Sequence, residues 1–386
     1  MLIRRIDPLY VERVEETEFD LGALLQGRGI AASRGRWRVL RSETDSATEL
    51  SDPELDALRR LSGKLWIERE QAAELVGDTL LTRFLAEGLA LSWDKQQAAD
   101  PSLSWWHALS AVSYRATRWR NVDATSLGAS GEARTVVSLV AEFGPPPDEF
   151  FLRPDSDLRL SLPSPEGGQL QALAERRVTC RNFARNEALA LEILSSCLHY
   201  TFGSHGQLEM APGAIALKKN SPSGGGLHPI EAYVLARSVQ GAQPGLYHYN
   251  VQAHSLDRLR AMTDAEAEAL ALKAVAGQTW FSGAPALVFL VARFARSQWK
   301  YRNHPKIFRV LLLDAGHLSQ NLYLAATQHG LGAFITAAIN EIPIEEALGL
   351  DPMQQGVLAI CGIGHRAAER TTVELDPAGA VWPVAP

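Results

Sequence analysis

Apolar positions along the chain recur with two different periods, and the change of period divides it. Over residues 1–100 the spacing is helical. In "SDPELDALRRLSG", Leu55, Leu58 and Leu61 form one apolar stripe. Ser51 or Asp52 is placed to cap that helix, Pro53 suits its first turn and Gly63 its end. "REQAAELVGDTLLTRFLAEGLALSW" continues as two helices divided near Gly77 and Asp78; Gly88 closes the second and a short strand, "LALSW", follows. This order predicts a winged-helix-like lobe, and a generic helical lobe accounts for it equally. "SRGRWRVLR", Ser33 to Arg41, alternates like a strand. It reads as a solvated strand face, with a docking edge for an extended peptide as the alternative.

Residues 101–168 form a second zone. In "SWWHALSAVSYRATRWR", Trp106, Leu109, Ser113 and Ala116 share a helical face, with Arg115, Arg118 and Arg120 offset from it. "GPPPDEFFLRPDSDLRLSLPSPEGG" is too rich in Pro, Ser and Gly for a regular element and reads as an extended connector over a surface.

From 169 to 386 helices and strands alternate. "EALALEILSSCLHYTFG" reads as a helix stopping near Gly203, and "IEAYVLARSV" as an apolar strand. "QPGLYHYNVQAHSLDRL" predicts a hairpin with a Pro-Gly turn. "APALVFLVARF", "LGAFITAAI" and "QGVLAICGIG" are continuous apolar runs, hence buried strands. "IFRVLLLDAGHLSQNLYLAATQHG" is a long apolar helix closed by Gly330. The sum is an α+β fold, a mixed sheet covered by helices.

Composition narrows the function. Hydrophobic residues make up 46% and charged residues 21%, enough for a sizeable core. A net charge of −6 offers no global basic field for nucleic acid, and the candidate recognition helix "DTLLTRFLAEGLA" has only Arg83 as a cation. Three cysteines, Cys180, Cys197 and Cys361, form no CxxC, so a reduced, cytoplasmic setting and no metal site are expected. The N-terminus has no long apolar core of the secretory kind, and no apolar run reaches the roughly 20 residues of a membrane span.

Three stretches carry candidate chemistry. In "ERRVTCRNF", Arg176, Arg177 and Arg181 crowd together ahead of a helix, a donor set suited to a phosphate monoester, although a basic surface turn has the same composition. "KKNSPSGGGLHPIEAY" places Gly224, Gly225 and Gly226 beside Ser223, so that backbone approaches a ligand without a Cβ in the way. It precedes a strand and is neither a GxGxxG nor a GxxxxGK[ST] loop, so a flexible turn is equally open. In "QWKYRNHPKIFR", Lys300 adjoins Tyr301, and an adjacent ammonium can assist a tyrosine in acid–base work; a solvated helix start is the plainer reading.

The order of these stretches, followed by "LLLDAGHLSQNLYLAA", "GLGAF" and "VLAICGIG", resembles the SagB-type dehydrogenases, a branch of the flavin-binding nitroreductase superfamily. The resemblance spans about residues 170–366 and is most specific in "SPSGGGLHPIEAY". It implies a nitroreductase-like fold and FMN as cofactor. By position it implies that Arg177, Thr179 and Arg181 bind the phosphate and ribityl part, with Thr179 standing where serine is commoner. Pro222, Ser223, Gly224 and Gly225 would line the isoalloxazine. Lys219 stands where arginine is usual. Gly330, Leu331 and Gly332 would present backbone near the flavin, and Gly364 and Arg366 would lie near the phosphate. Lys300 and Tyr301 match the Lys-Tyr pair of azoline oxidases.

What the resemblance implies in function is an FMN-dependent oxidoreductase in the maturation of a ribosomally made peptide, for example azoline to azole oxidation. The partners implied are a peptide substrate, held through the N-terminal lobe, companion peptide-modifying enzymes and a second copy, with FMN at the homodimer interface. Two alternatives stay open: an NAD(P)H-dependent FMN reductase of small electrophiles or dehydroamino acids, and a non-catalytic peptide-recognition scaffold.

Overall fold

The buried strands predicted after residue 169 assemble into one six-stranded sheet. Its order is Ser255–Ala261, Gly245–Asn250, Ile230–Ala236, Ala286–Arg293, Gln355–Gly364, Gly332–Thr336. Every neighbouring pair is antiparallel. The mixed character enters through two isolated parallel bridges, Thr179 to Ala333 and Leu189 to Val239. These relations come from a computed structural model that describes residues 1–19, 21–27, 31–98, 101–126, 135–150, 153, 155 and 157–382. The chain divides into two compact units: residues 1–118 with 294–309, and residues 119–293 with 310–386.

The second unit holds the sheet. Ala286–Arg293 lies at its centre, and every residue of that strand except Arg293 is buried, as a continuous apolar run requires. Phe281 stacks on Phe334 with ring centroids 4.0 Å apart in the core beneath. The helix Leu191–Phe202 stops at Gly203, as its sequence predicts. The long helix runs Ile307–Gln328, and Gly330 follows it at φ +72°.

Two expectations for this unit are corrected. The hairpin joins Gly245–Asn250 to Ser255–Ala261, but its turn falls at residues 251–254. Pro244 and Gly245 instead lead into the first strand, where proline's missing N–H costs the ladder least. A separate hairpin, Ser204–Ala211 with Ala214–Lys219, is absent from the sequence reading because most of it is exposed and lacks a one-sided apolar pattern. Of the connector 144–168, positions 151, 152, 154 and 156 lie outside the described residues; the stretches 144–150 and 157–168 contain neither helix nor strand.

The first unit contains the N-terminal lobe. Helices Asp52–Arg60, Arg69–Val76 and Asp78–Ala86 precede the short strand Ala90–Ser92, the order the sequence predicts. Leu2–Arg5 pairs between Ile67–Glu68 and that strand. Leu55, Leu58 and Leu61 are all buried, as the stripe requires. Glu54 accepts from the Ser51 N–H and hydroxyl, both at 2.8 Å, and so begins the first helix. Leu61 is already extended, so the helix ends before Gly63. A second sheet pairs Leu9–Phe19, Ala31–Arg41 and Thr48–Leu50. Its basic residues are matched across strands: Arg36 with Glu49 and Arg38 with Glu12, both at 2.8 Å. Ser33 and Arg34 of the candidate docking edge have side chains outside the described set.

The sequence leaves open which face of the helix Ala108–Ala116 is buried. Ala111, Val112, Tyr114 and Arg115 are buried while Leu109 is exposed. The cause is electrostatic. Asp45 draws Arg115 and Arg118 inward at 2.9 and 2.6 Å. The Tyr114 ring stacks on Trp106 at 5.7 Å, and both meet Phe294 edge-on. Among the described residues no helix is long and apolar enough to cross a membrane.

Candidate functional site: an arginine segment and a glycine loop on one helix

Two of the three sequence-predicted stretches meet the long helix, within its part belonging to the second unit. The glycine loop is held by Asp314, a carboxylate only 4% exposed. Its Oδ2 accepts from the Ser223 hydroxyl at 2.5 Å and its Oδ1 from the Gly224 N–H at 3.1 Å. Ser223 Oγ in turn accepts the His228 N–H at 2.9 Å. Seven residues on from Asp314, and on the same helical face, Asn321 donates to Ser221 Oγ at 2.8 Å. Lys219, Ser221, Pro222, Ser223, His228 and Asp314 line one small cavity.

The bonding pattern changes the expected role of the glycines. The Gly224 N–H is taken by Asp314 and the Gly226 N–H by the Ser223 carbonyl at 2.9 Å, so neither points outward as a donor. Gly224 is required for another reason: a Cβ there would overlap Val310 Cγ1 on the helix. Gly225 and Gly226 lie at φ +67° and +70°, the left-handed region that side chains other than glycine resist. His228 adopts φ +47° immediately afterwards.

The arginine segment meets the same helix further on. Arg177 stacks its guanidinium over Tyr323, 5.2 Å from the ring centroid. Thr179 Oγ1 lies 3.0 Å from the Tyr323 hydroxyl. That hydroxyl also accepts the Ile335 N–H at 3.2 Å. Burial raises the Tyr323 pKa, more than these hydrogen bonds and the Arg177 charge lower it. Arg181 turns elsewhere: its guanidinium lies 5.9 Å from the Phe281 ring and donates to the Val373 carbonyl at 3.5 Å. Asp314 and Tyr323 are nine residues apart, about 14 Å along the helix axis at the usual rise.

The late glycines fix how closely the strands approach. Cys180 N–H donates to the Ala333 carbonyl at 2.8 Å. A Cβ on Gly332 would sit 2.5 Å from Cys180 Sγ, so only glycine lets these backbones meet. The N–H groups of Gly330 and Leu331 are spent on the carbonyls of Thr327 and Ala326, at 3.0 and 2.9 Å, which closes the helix. Gly364 pairs with Gly332, and a Cβ on it would overlap the Pro285 ring. Arg366 donates to the Val178 carbonyl at 2.6 Å and to Glu374 at 2.5 Å.

Lys300 and Tyr301 fall in the first unit, at the end of the helix Phe294–Lys300. The Lys300 ammonium lies 5.6 Å from the Tyr301 ring centroid, and the Tyr301 ring 6.1 Å from that of His304. Arg302 stacks on Trp105 at 4.3 Å, and the Asn303 N–H donates to the Trp105 carbonyl at 2.8 Å.

Four residues of this arrangement carry no assignment from the sequence: Asp314, Asn321, Tyr323 and Glu374. The first three occur inside "LLLDAGHLSQNLYLAA", where polar positions on an otherwise apolar helix were the available signal. Glu374 lies in a tail without a motif. All three cysteines are buried and unbridged. Burial pushes Cys180 and Cys197 up to about 12, and Cys361 upward as well, which leaves inert thiols rather than nucleophiles. Among the described residues no group of three or more His, Cys, Asp or Glu could hold a metal ion.

The nitroreductase family model matches residues 174–365. The trifolitoxin-processing protein TfxB of Rhizobium leguminosarum bv. trifolii is 34% identical over 175 residues, 44% of this chain. The match spans 46% of that relative, so the chain covers about half its length. A protein of Methanocaldococcus jannaschii named as a nitroreductase is 30% identical over 191 residues, 50% of this chain and 89% of its own length. Among solved structures, the Escherichia coli microcin synthetase McbBCD complex with truncated pro-MccB17 bound contains a chain similar in fold. The TM-score is 0.51 at 19% identity, covering 72% of this chain and 98% of that one. The chain therefore belongs to the nitroreductase family.

Proposed function

We propose that the protein is a SagB-type, FMN-dependent oxidoreductase that matures a ribosomally made peptide, with azoline to azole oxidation as its reaction. One observation carries this reading: a single helix grips both a glycine loop and an arginine-rich segment, about 14 Å apart along its axis. That separation suits a cofactor with a flat ring at one end and a phosphate at the other. The processing role named for TfxB supports a peptide substrate. The bound pro-peptide of the microcin synthetase supports both a peptide substrate and companion enzymes.

The residues present fit the cofactor. Arg177 and Thr179 combine a guanidinium and a hydroxyl of the kind a phosphate monoester takes, while Arg181 and Arg366 lie beside the same segment with their guanidiniums turned to Val373 and Glu374. Lys219, 7% exposed, lines the loop cavity with Ser223 and would supply positive charge to a flavin bound there. Pro222, Gly224 and Gly225 keep that face of the loop low and without long side chains, while Gly332 lets the arginine segment lie against the sheet at Cys180.

When bound, FMN supplies the two-electron acceptor. The chain's own residues do the rest. Tyr301, acting as its phenolate with the Lys300 ammonium beside it as counter-charge, would accept the substrate proton at its phenolic oxygen and become the neutral phenol. The first unit, with its winged-helix-like order, holds the peptide. Leu312 and Leu313, 48% and 58% exposed on the long helix, suit burial against a second copy.

The test is turnover of an azoline-containing peptide by purified protein. Lys300→Ala and Tyr301→Phe should each retain flavin and lose turnover about 100-fold or more. Unchanged turnover in both would refute their roles. The Methanocaldococcus relative favours a second reading, an NAD(P)H-dependent FMN reductase. Rapid bleaching of bound flavin by NADPH, with no azole formed from peptide, would select it.

A further inference from the structure

The buried carboxylate of Glu374 gathers more donors than any other acidic group near the arginine segment. Its Oε1 accepts from the Arg181 N–H at 2.5 Å, the Asn182 N–H at 3.0 Å and Asn182 Nδ2 at 2.9 Å. Its Oε2 accepts from Arg366 Nη1 at 2.5 Å and Trp382 Nε1 at 2.7 Å. The side chain is fully shielded from solvent. Such a carboxylate is stable only because each lone pair has a partner.

The rest of the C-terminal segment is built around this contact. Asn182 Oδ1 accepts the N–H groups of Thr371 and Thr372 at 2.9 and 2.7 Å, and Asn182 Nδ2 donates to the Thr372 carbonyl at 2.7 Å. Asp376 accepts the N–H groups of Val381 and Trp382, both at 2.8 Å, and so folds the chain back to bring the Trp382 indole onto Glu374. On its other side the arginine segment is held by the Thr179–Ala333 bridge. Residues 178–182 therefore run between a strand and a tail that arrives almost two hundred residues later in the chain.

We propose that Glu374 is a positioning residue, and Thr371–Trp382 a clasp, that fix the arginine segment and Arg366 in the geometry a cofactor phosphate requires. This rests on the FMN reading above. Two backbone N–H groups, one amide, one guanidinium and one indole converge on Glu374. Their common effect is to set the path of Arg177–Asn182 and to draw Arg366 away from free rotation. The ring end of the site is held by Asp314 and has no part in the clasp, so the effect should fall on the phosphate end alone.

The experiment compares FMN with riboflavin, which lacks the phosphate, by quenching of flavin fluorescence in wild-type protein and in Glu374→Gln. The expected result is an FMN Kd raised tenfold or more and a riboflavin Kd changed less than twofold. Trypsin should also cut after Arg370 faster in the variant, and FMN should slow that cut in wild type. Equal weakening of both ligands, an unchanged FMN Kd, or tighter FMN binding would overturn the proposal. If Glu374→Gln does not fold, Trp382→Phe removes one donor from the same carboxylate and should weaken FMN alone, about threefold; no such selectivity would count against the clasp. A wild-type protein that binds no FMN would sink the functional reading and the clasp together. Wild-type binding that Glu374→Gln leaves intact would sink only the clasp.

Discussion

Asp314 and Glu374 are both buried carboxylates that organise a segment of the candidate site, and they do it with different chemistry. Asp314 takes two neutral donors, a hydroxyl and one backbone N–H, from a loop that packs directly on its own helix. Glu374 takes a guanidinium, an indole, an amide and two backbone N–H groups. A neutral donor to a carboxylate is worth about 1.5–3 kcal/mol net, whereas a buried guanidinium left without its carboxylate costs about 3–5 kcal/mol. The difference teaches that the arginine-segment end of the candidate site is held by a buried ion pair and the glycine-loop end by neutral donors and close packing.

The largest expected effect follows from that contrast. Glu374→Ala should destabilise the protein by about 3–5 kcal/mol, because Arg366 is left desolvated and unpaired. Asp314→Ala should cost about 1–3 kcal/mol, for two stranded neutral donors. Urea unfolding of both variants checks the order, and a reversed order would break the comparison.

Packing at the glycine loop predicts the next effect. Gly224→Ala forces a methyl into Val310 Cγ1 and should cost about 1–3 kcal/mol. Val310→Ala in the same chain should restore most of it, a coupling that a double-mutant cycle reads directly. Gly225→Ala meets strain at φ +67° instead, at about 1 kcal/mol, and Val310→Ala should not rescue it. Equal rescue at both glycines would show that close packing on the helix is not what Gly224 serves.

A smaller effect sharpens the electrostatic half. Burial pushes the Glu374 pKa up, but hydrogen bonds from Trp382, the Arg181 backbone and Asn182, with the Arg366 charge, outweigh it and hold the group below its ordinary value. A depressed carboxylate stabilises fully above its unfolded pKa of about 4.3, and the contribution is lost as pH falls through the folded value. Arg366, Arg181 and Asp376, itself lowered, face the same pocket. Wild-type stability should therefore fall more steeply than that of Glu374→Gln as pH drops below about 4.3. Parallel curves would remove Glu374 as the group responsible.

The same contrast explains what the sequence made legible. The strands Ala286–Arg293 and Gln355–Gly364 announce themselves because they are buried on both faces, so their apolar runs are unbroken. The helix carrying Asp314, Asn321 and Tyr323 was evident too, but not which polar side chain grips which loop, since that depends on rotation about the axis. The inward turn of Arg115 and Arg118 was hidden because Asp45, far away in sequence, causes it. Glu374 was hidden for the same reason: its partners lie between eight and 193 residues away, in a tail with no periodicity. The glycine loop was found, yet the use of its N–H groups was not, because composition shows that backbone is accessible and not where its donors point.

FMN titration of purified protein, followed by flavin fluorescence and the visible spectrum, tests the central claim most directly, with Arg177→Ala alongside. Stoichiometric binding by the wild-type chain, with FMN affinity weakened about tenfold or more in Arg177→Ala by loss of a charge-assisted phosphate contact, is the predicted result. A colourless protein that takes up no added FMN, or binding that Arg177→Ala leaves unchanged, would contradict it.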